Sequence, residues 1–119
     1  MVLFGIMDLV LTCMKKITKY DKLVRDKIPQ VLDSKGITCT IRIVEGQEYI
    51  DRLSAKLKEE VEEFIQDNNE EEIADIMEVL RAIIAAHGFS SEYIEEIRKN
   101  KLEERGGFSA KLVLEQTQE

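Results

Sequence analysis

The sequence EYIDRLSAKLKEEVEEFIQDNNEEEIADIMEVLRAIIAA, residues 48–86, decides the fold of this chain. Its apolar residues recur three and four positions apart on both sides of the polar triplet DNN at residues 67–69. Because this spacing is typical of amphipathic helices, we predict one helix over residues 48–66 and a second over residues 70–86. Two helices joined by so short a turn pack antiparallel through their apolar faces.

Outward from this hairpin, the sequence predicts a mainly α fold, an antiparallel helical bundle with a small two-stranded β ribbon. A short helix is expected over residues 26–35, and a third long helix over residues 91–104 follows a serine N-cap. Residues 38–44 and 108–114 alternate between apolar and polar side chains. Both segments are therefore predicted as strands, and we expect them to pair with each other.

Length and composition indicate one domain, which we assign to residues 20–119, after an apolar leader at residues 1–19. The apolar run of the leader is interrupted by Asp8 and is too short to span a bilayer, so no membrane partner is expected. Basic residues follow this run instead of preceding it, which argues against a secretory signal. We hypothesise that natural translation starts at Met14, which mass spectrometry of the native protein would test.

The charge and the cysteines limit the partners and the compartment. A net charge of −7 argues against non-specific binding to nucleic acid, because that binding depends on Lys and Arg neutralising phosphates. Cys13 and Cys39 are too few and too widely separated for a disulfide framework or a cysteine metal site. We therefore expect a cytoplasmic protein with reduced thiols and no nucleic-acid partner.

Carboxylates are concentrated around the turn between the two long helices. Residues 59–78 include ten Asp and Glu residues and no Lys or Arg. At about 100° of rotation per residue, Glu60 and Glu72 fall within the apolar arcs of their helices. Glu63 and Asp75 fall at the edges of those arcs, each three residues from its partner and on the same helix face.

Antiparallel packing brings both pairs into one region near the turn, where no basic residue of this stretch compensates them. Oxygen ligands select hard cations, so we predict a site for Mg²⁺ or Mn²⁺. The alternative is that the whole run of carboxylates is a solvated helix surface. Glu62, Glu71 and Glu78 point away from the apolar arcs and are expected to be solvated in either case.

Three segments of the chain together carry a family resemblance. Residues 59–63, EEVEE, and residues 72–75, EIAD, match the pattern EExxE…ExxD. The other two segments are KLVRDKIP at residues 22–29 and RGGF at residues 105–108. In this order they resemble the MazG-like all-α nucleoside triphosphate pyrophosphohydrolases, in the branch described as phosphoribosyl-ATP pyrophosphohydrolase-like. The resemblance covers residues 20–114.

The resemblance implies a Mg²⁺-dependent hydrolase that cleaves a nucleoside triphosphate to the monophosphate and pyrophosphate. By motif position it implies four metal ligands, namely Glu60, Glu63, Glu72 and Asp75. Glu59 or Glu63 would accept the proton of the attacking water. The interval of residues 64–71 is shorter than the family's usual spacing, so Glu71 is the fallback ligand for the second half of the motif.

Basic side chains near the motifs are predicted to bind the phosphates of the substrate. They are Lys22, Arg25, Lys27, Lys56, Lys101 and Arg105. The alternative for the first three is ordinary surface charge, or a pair between Arg25 and a helix carboxylate. The last two also complement the dipole at the end of the third long helix.

Two further alternatives concern the substrate and the class of protein. Within the enzymes, the substrate is phosphoribosyl-ATP or a modified nucleotide. Outside the enzymes, the chain is a non-catalytic helical dimerisation or regulatory module whose acidic surface binds a basic partner. An apolar hairpin face on so short a chain favours a homodimer or a dimer of dimers.

Overall fold

The computed structural model describes residues 16–119, and its regular structure is helical. The helices are α1 (Ile28–Ser34), α2 (Gly46–Asp67), α3 (Glu70–His87) and α4 (Ser91–Arg105). The contacts divide the chain into two units, Met1–Cys39 and Thr40–Glu119, so that α1 belongs to the first unit and α2 to α4 belong to the second. The proposed start at Met14 and most of the predicted leader lie outside the described residues.

In the first unit, α1 is one residue shorter at its end, and two residues shorter at its start, than the sequence predicts. Pro29 lies in its first turn, where a missing N–H group costs nothing. Gly36 follows the helix with φ of 72°, a left-handed conformation that glycine adopts without strain. Pro29 and Gly36 thus lie at the start and just beyond the end of the helix, as the sequence predicts.

In the second unit, α2 and α3 form the predicted helical hairpin, with 22 and 18 residues. Asn68 adopts the left-handed conformation with φ of 51°, which asparagine tolerates better than most residues. Asn69 is the N-cap of α3, and its side chain accepts a hydrogen bond of 3.1 Å from the backbone N–H of Glu72. Two residues therefore reverse the chain and start the next helix.

The segment before α2 is tied to the first turn of that helix. Arg42 donates through Nη1 to Oε1 of Glu48 at 2.9 Å and pairs with the second carboxylate oxygen through Nη2. Arg52, one turn further along α2, also lies 3.4 Å from Glu48. These contacts fix the start of α2 although the preceding residues have no regular structure.

The packed interior of the hairpin is small. Among residues 16–119, the buried hydrophobic side chains are Leu53 of α2 and Val79 of α3. The outer part of the predicted apolar arc of α3 is accessible to solvent, since Ile73, Met77 and Leu80 are 42%, 60% and 41% exposed. The arcs predicted from periodicity are therefore wider than the surface that the two helices bury between them.

Helix α4 is present where the sequence predicts it. The Ser90 hydroxyl caps it by accepting a hydrogen bond of 3.1 Å from the backbone N–H of Tyr93. Its side chains are exposed, including Ile94 and Ile97. In the described part of the chain, the extensive packing between helices is that of α2 against α3, and assembly into a larger bundle stays a prediction.

The predicted β ribbon is wrong, since residues 16–119 contain no strand. Residues 38–44 and 108–114 are irregular, and Lys111 breaks the second segment with φ of 62°. Ile43 and Leu112 are 88% and 87% exposed, so these side chains do not pack against an apolar surface. A two-stranded ribbon without such a surface is marginal at best in water.

No helix within residues 16–119 is long and apolar enough to cross a membrane.

Candidate metal site

Three carboxylates meet beside the turn of the hairpin. Glu60 comes from the second half of α2, and Glu72 and Asp75 come from the first two turns of α3. One carboxylate oxygen of each lies within 4.8 Å of one oxygen of each of the others. The antiparallel packing of α2 on α3 produces this convergence, because it places the end of one helix beside the beginning of the next.

These carboxylates are withdrawn from water to different degrees. Glu60 is 6% exposed, and Glu72 and Asp75 are half-buried. Oε2 of Glu60 and Oε2 of Glu72 are both buried without a hydrogen-bond partner among residues 16–119. Because a buried acceptor without a partner costs free energy, a cation or a donor that bound these two oxygens would stabilise the cluster.

The environment disfavours the charged form of two of these groups. Burial raises the pKa of Glu60, a hydrogen bond from Lys56 opposes that shift, and a hydrogen bond with Glu63 adds to it. Burial also raises the pKa of Glu72, a hydrogen bond with Glu63 lowers it, and the negative charge of Asp75 raises it. A divalent ion would reverse the balance, since it favours the ionised form of every ligand.

Glu63 lies against the cluster without belonging to its tightest part. Its carboxyl group is close enough to Glu60 and to Glu72 to influence the pKa of each. The group whose oxygens all lie within 4.8 Å of one another consists of Glu60, Glu72 and Asp75, without Glu63. Three of the four predicted ligands are thus brought together, and the fourth is their neighbour.

The donor set suits a hard cation. An octahedral Mg²⁺ ion with bonds of about 2.1 Å spaces its ligand oxygens by about 3 to 4.2 Å. Among three octahedral ligands at least two pairs are adjacent, so the oxygens of Glu60, Glu72 and Asp75, now within 4.8 Å of one another, would need to approach by up to about 1.8 Å. Three carboxylates on two helices would leave further coordination positions for water and for phosphate oxygens.

Lys56 contacts Glu60 and its neighbour Glu59, and these contacts were not among the predictions from the sequence. Its Nζ lies 3.2 Å from Oε1 of Glu60 and 3.3 Å from Oε2 of Glu59. The signal was available, because Lys56 precedes these two residues by four and three positions, the spacings at which helical side chains meet.

Glu62, Glu71 and Glu78 are exposed, as predicted.

The other predicted phosphate-binding residues lie on different parts of the chain. Lys22, Arg25 and Lys27 belong to the first unit, and the ammonium group of Lys22 lies 5.8 Å from the centre of the Tyr20 ring. On α4, the side chains are exposed in its last two turns, which carry Lys101 and Arg105. Their role toward a substrate stays a prediction.

In comparison with known proteins, no family model, no curated protein and no solved structure matches this chain.

Proposed function

We propose that this chain is a Mg²⁺-dependent nucleoside triphosphate pyrophosphohydrolase, which cleaves a nucleotide to its monophosphate and pyrophosphate. The observation that supports it best is the buried Glu60, whose carboxylate lies in one cluster with Glu72 and Asp75 and whose Oε2 has no hydrogen-bond partner among residues 16–119. The EExxE…ExxD pattern that carries the family resemblance occupies the same positions. A cytoplasmic location is proposed with this function, because nucleoside triphosphates are abundant there.

The metal would be held by Glu60, Glu72 and Asp75, with Glu63 as an additional ligand. When bound, Mg²⁺, or Mn²⁺ in its place, supplies positive charge for the phosphate oxygens and acidity for a bound water. The helices contribute preorganisation, because both halves of the ligand set are fixed by the packing of α2 on α3. Glu60 is also largely withdrawn from water, since it is 6% exposed.

The protein must also accept a proton from the water that attacks phosphorus as the bond to pyrophosphate breaks. Glu63 suits this role because it lies against Glu60 and Glu72, at the edge of the proposed metal site. Glu59 is the alternative, and Lys56 holds one of its oxygens at 3.3 Å. Either carboxylate needs to reach the water directly or through a second water.

The decisive experiment is pyrophosphate release from a panel of nucleoside triphosphates and phosphoribosyl-ATP. Each substrate is assayed with Mg²⁺, with Mn²⁺ and with a chelator. We expect release that depends on metal, with a preference that identifies the base and the sugar. Absence of release from every nucleotide by a protein with native helical content would refute the proposal.

Variants of the carboxylates test the same site. We expect Glu60→Gln and Asp75→Asn each to reduce turnover by at least about 100-fold, because replacing even an outer-shell partner of a metal costs 10- to 100-fold. Glu62→Gln is the matched control, since it removes one charge from the exposed side of the same helix. Circular dichroism should show native helicity in all three. Activity near that of the wild type in Glu60→Gln would contradict the assignment.

A further inference from the structure

Lys56 is held at the edge of the acidic cluster by two carboxylates at once. Its side chain is 16% exposed, and its Nζ lies 3.2 Å from Oε1 of Glu60, whose side chain is 8% exposed. The same Nζ lies 3.3 Å from Oε2 of Glu59. Lys56 is thus mostly buried and already paired with two carboxylates. An exposed lysine that binds substrate phosphate would instead have its ammonium group accessible to solvent.

The two oxygens of Glu60 have different surroundings. Oε1 is paired with the ammonium group, whereas Oε2 is buried without a hydrogen-bond partner among the described residues. The terminal torsion of a glutamate has a broad, roughly two-fold energy profile, so the side chain itself does not fix the plane of its carboxylate. The contact that binds Oε1 therefore also determines where Oε2 lies.

We propose that Lys56 is a positioning residue for the metal site, which holds Oε1 of Glu60 so that Oε2 remains directed toward the cation. The inference rests on the proposed metal site, and it changes the role of Lys56 from a phosphate ligand to an outer-shell partner of Glu60. Outer-shell partners commonly orient the groups that bind the metal. Through its second contact, Lys56 also holds Glu59 beside Glu60.

Two other roles for Lys56 make different predictions about metal affinity. As a ligand of the substrate phosphates alone, it would affect nucleotide binding and leave metal affinity unchanged when nucleotide is absent. As a counter-ion that a metal must displace, it would compete with the metal, and its removal would tighten metal binding. As a positioning residue, its removal weakens metal binding without any nucleotide present.

The test is Mn²⁺ affinity measured by isothermal titration calorimetry at neutral pH without nucleotide. We expect Lys56→Met to weaken Mn²⁺ binding about 10-fold, at the lower end of the range for outer-shell partners. Lys56→Arg, which keeps the charge and the donors, should recover most of that loss. Lys58→Met removes the same charge from an exposed position two residues further along the helix. Its Mn²⁺ affinity should stay within about twofold of that of the wild type.

Unchanged or tighter Mn²⁺ binding by Lys56→Met would overturn the proposal. If that variant loses its helical circular dichroism, Lys56→Gln replaces it with the same expected weakening. A wild-type protein that binds no Mn²⁺ would overturn both this inference and the metal site. A wild-type protein that binds Mn²⁺ but releases no pyrophosphate would refute the proposed function alone, and the ranking of the variants would still decide the role of Lys56.

Discussion

The carboxyl groups of Glu60 and Glu72 contribute to how the stability of the metal-free protein changes in mild acid. Burial raises the pKa of each above its ordinary value of 4.5. An acid whose pKa is raised on folding binds its proton more tightly in the folded state, so protonation stabilises that state. This contribution is fully present below the unfolded pKa near 4.5, and it is lost as the pH rises through the folded pKa.

We therefore expect the melting temperature of the metal-free protein to rise as the pH is lowered from 7 toward 4.5. Glu60→Gln should show a smaller rise, because glutamine is neutral throughout, whereas Glu62→Gln should keep the wild-type dependence. Thermal circular dichroism with a chelator present measures all three. An identical pH dependence in Glu60→Gln and the wild type would show that burial of this carboxylate has no such effect.

The measurement stops near pH 4.5 because other groups respond in the opposite direction below it. A hydrogen bond with Arg42 lowers the pKa of Glu48 to about 2, and burial opposes that shift. Stability that depends on ionised Glu48 is present above the unfolded pKa and is lost as the pH falls toward 2. The effect of Glu60 and Glu72 on stability is therefore measured between pH 7 and 4.5, and that of Glu48 appears below this range.

For single residues, the sequence predicts which carboxylates face inward but not what each one contacts. Helical rotation places Glu60 within the apolar arc and Glu62 outside it, and the structure agrees. The spacing of four residues allows Lys56, but not Lys58, to reach Glu60, yet spacing alone does not show that the contact forms. Its formation depends on side-chain conformation and on how closely α3 approaches α2.

Among the helices, the start of α3 links local stability to the geometry of the proposed site. The side chain of Asn69 accepts a hydrogen bond from the backbone N–H of Glu72, which is itself one of the clustered carboxylates. Loss of an N-cap costs about 1 kcal/mol and frays the first turn of a helix. Here the first turn carries Glu72, so fraying would displace a ligand.

We expect Asn69→Ala to lower the free energy of unfolding by about 1 kcal/mol and to weaken Mn²⁺ binding. Ser90→Ala is the matched control, because it removes the equivalent cap from α4, a helix that carries none of the clustered carboxylates. It should cost a similar amount of stability and leave Mn²⁺ affinity unchanged. Chemical denaturation and calorimetry provide the two measurements, and equal Mn²⁺ affinities in both variants would refute the link.

The sequence predicts the helices of this protein more accurately than it predicts strands. Repeating apolar positions, the asparagine turn and the serine cap fix the boundaries of α2, α3 and α4 to within two residues of the prediction. Alternation in residues 38–44 and 108–114 is a weaker signal, because strands need an apolar surface and neighbouring strands. Within residues 16–119 there is no strand for either segment to pair with, and Ile43 and Leu112 remain exposed.

At the scale of the whole molecule, the apolar side chains exceed what the hairpin buries. Ile73, Met77 and Leu80 follow one another at spacings of four and three residues and form an exposed stripe along α3. Val61 and Ile65 of α2 are 37% and 67% exposed. Because contiguous exposed apolar surface marks interaction sites, we propose that a second copy covers the stripe in a homodimer or a dimer of dimers.

We expect Met77→Glu to shift the protein toward the monomer, because a charge at the middle of the stripe would be buried without a partner. Leu112→Glu is the control, since it introduces the same charge at a position 87% exposed outside the helices. Light scattering coupled to size-exclusion chromatography at several concentrations measures the mass. A monomeric wild type at tens of micromolar would contradict the proposal.

Sequence periodicity does not predict how many copies of the chain associate. Periodicity identifies the apolar positions Ile73, Met77 and Leu80, but it does not say whether they face the same chain or another one. The packing of α2 on α3 shows only that these residues lie outside the interior that the two helices share.

The two-residue turn at Asn68 and Asn69 also has a consequence for the order in which the protein forms. Glu60 and Asp75 are separated by only 15 positions, so the proposed ligand set closes through local contacts, without waiting for distant parts of the chain. Contacts between residues close in sequence form on the microsecond scale, earlier than those that require long loops to close. The segment with the proposed ligands is thus among the first parts of the chain able to fold, and a divalent ion that bound there would assist its assembly on the nascent chain.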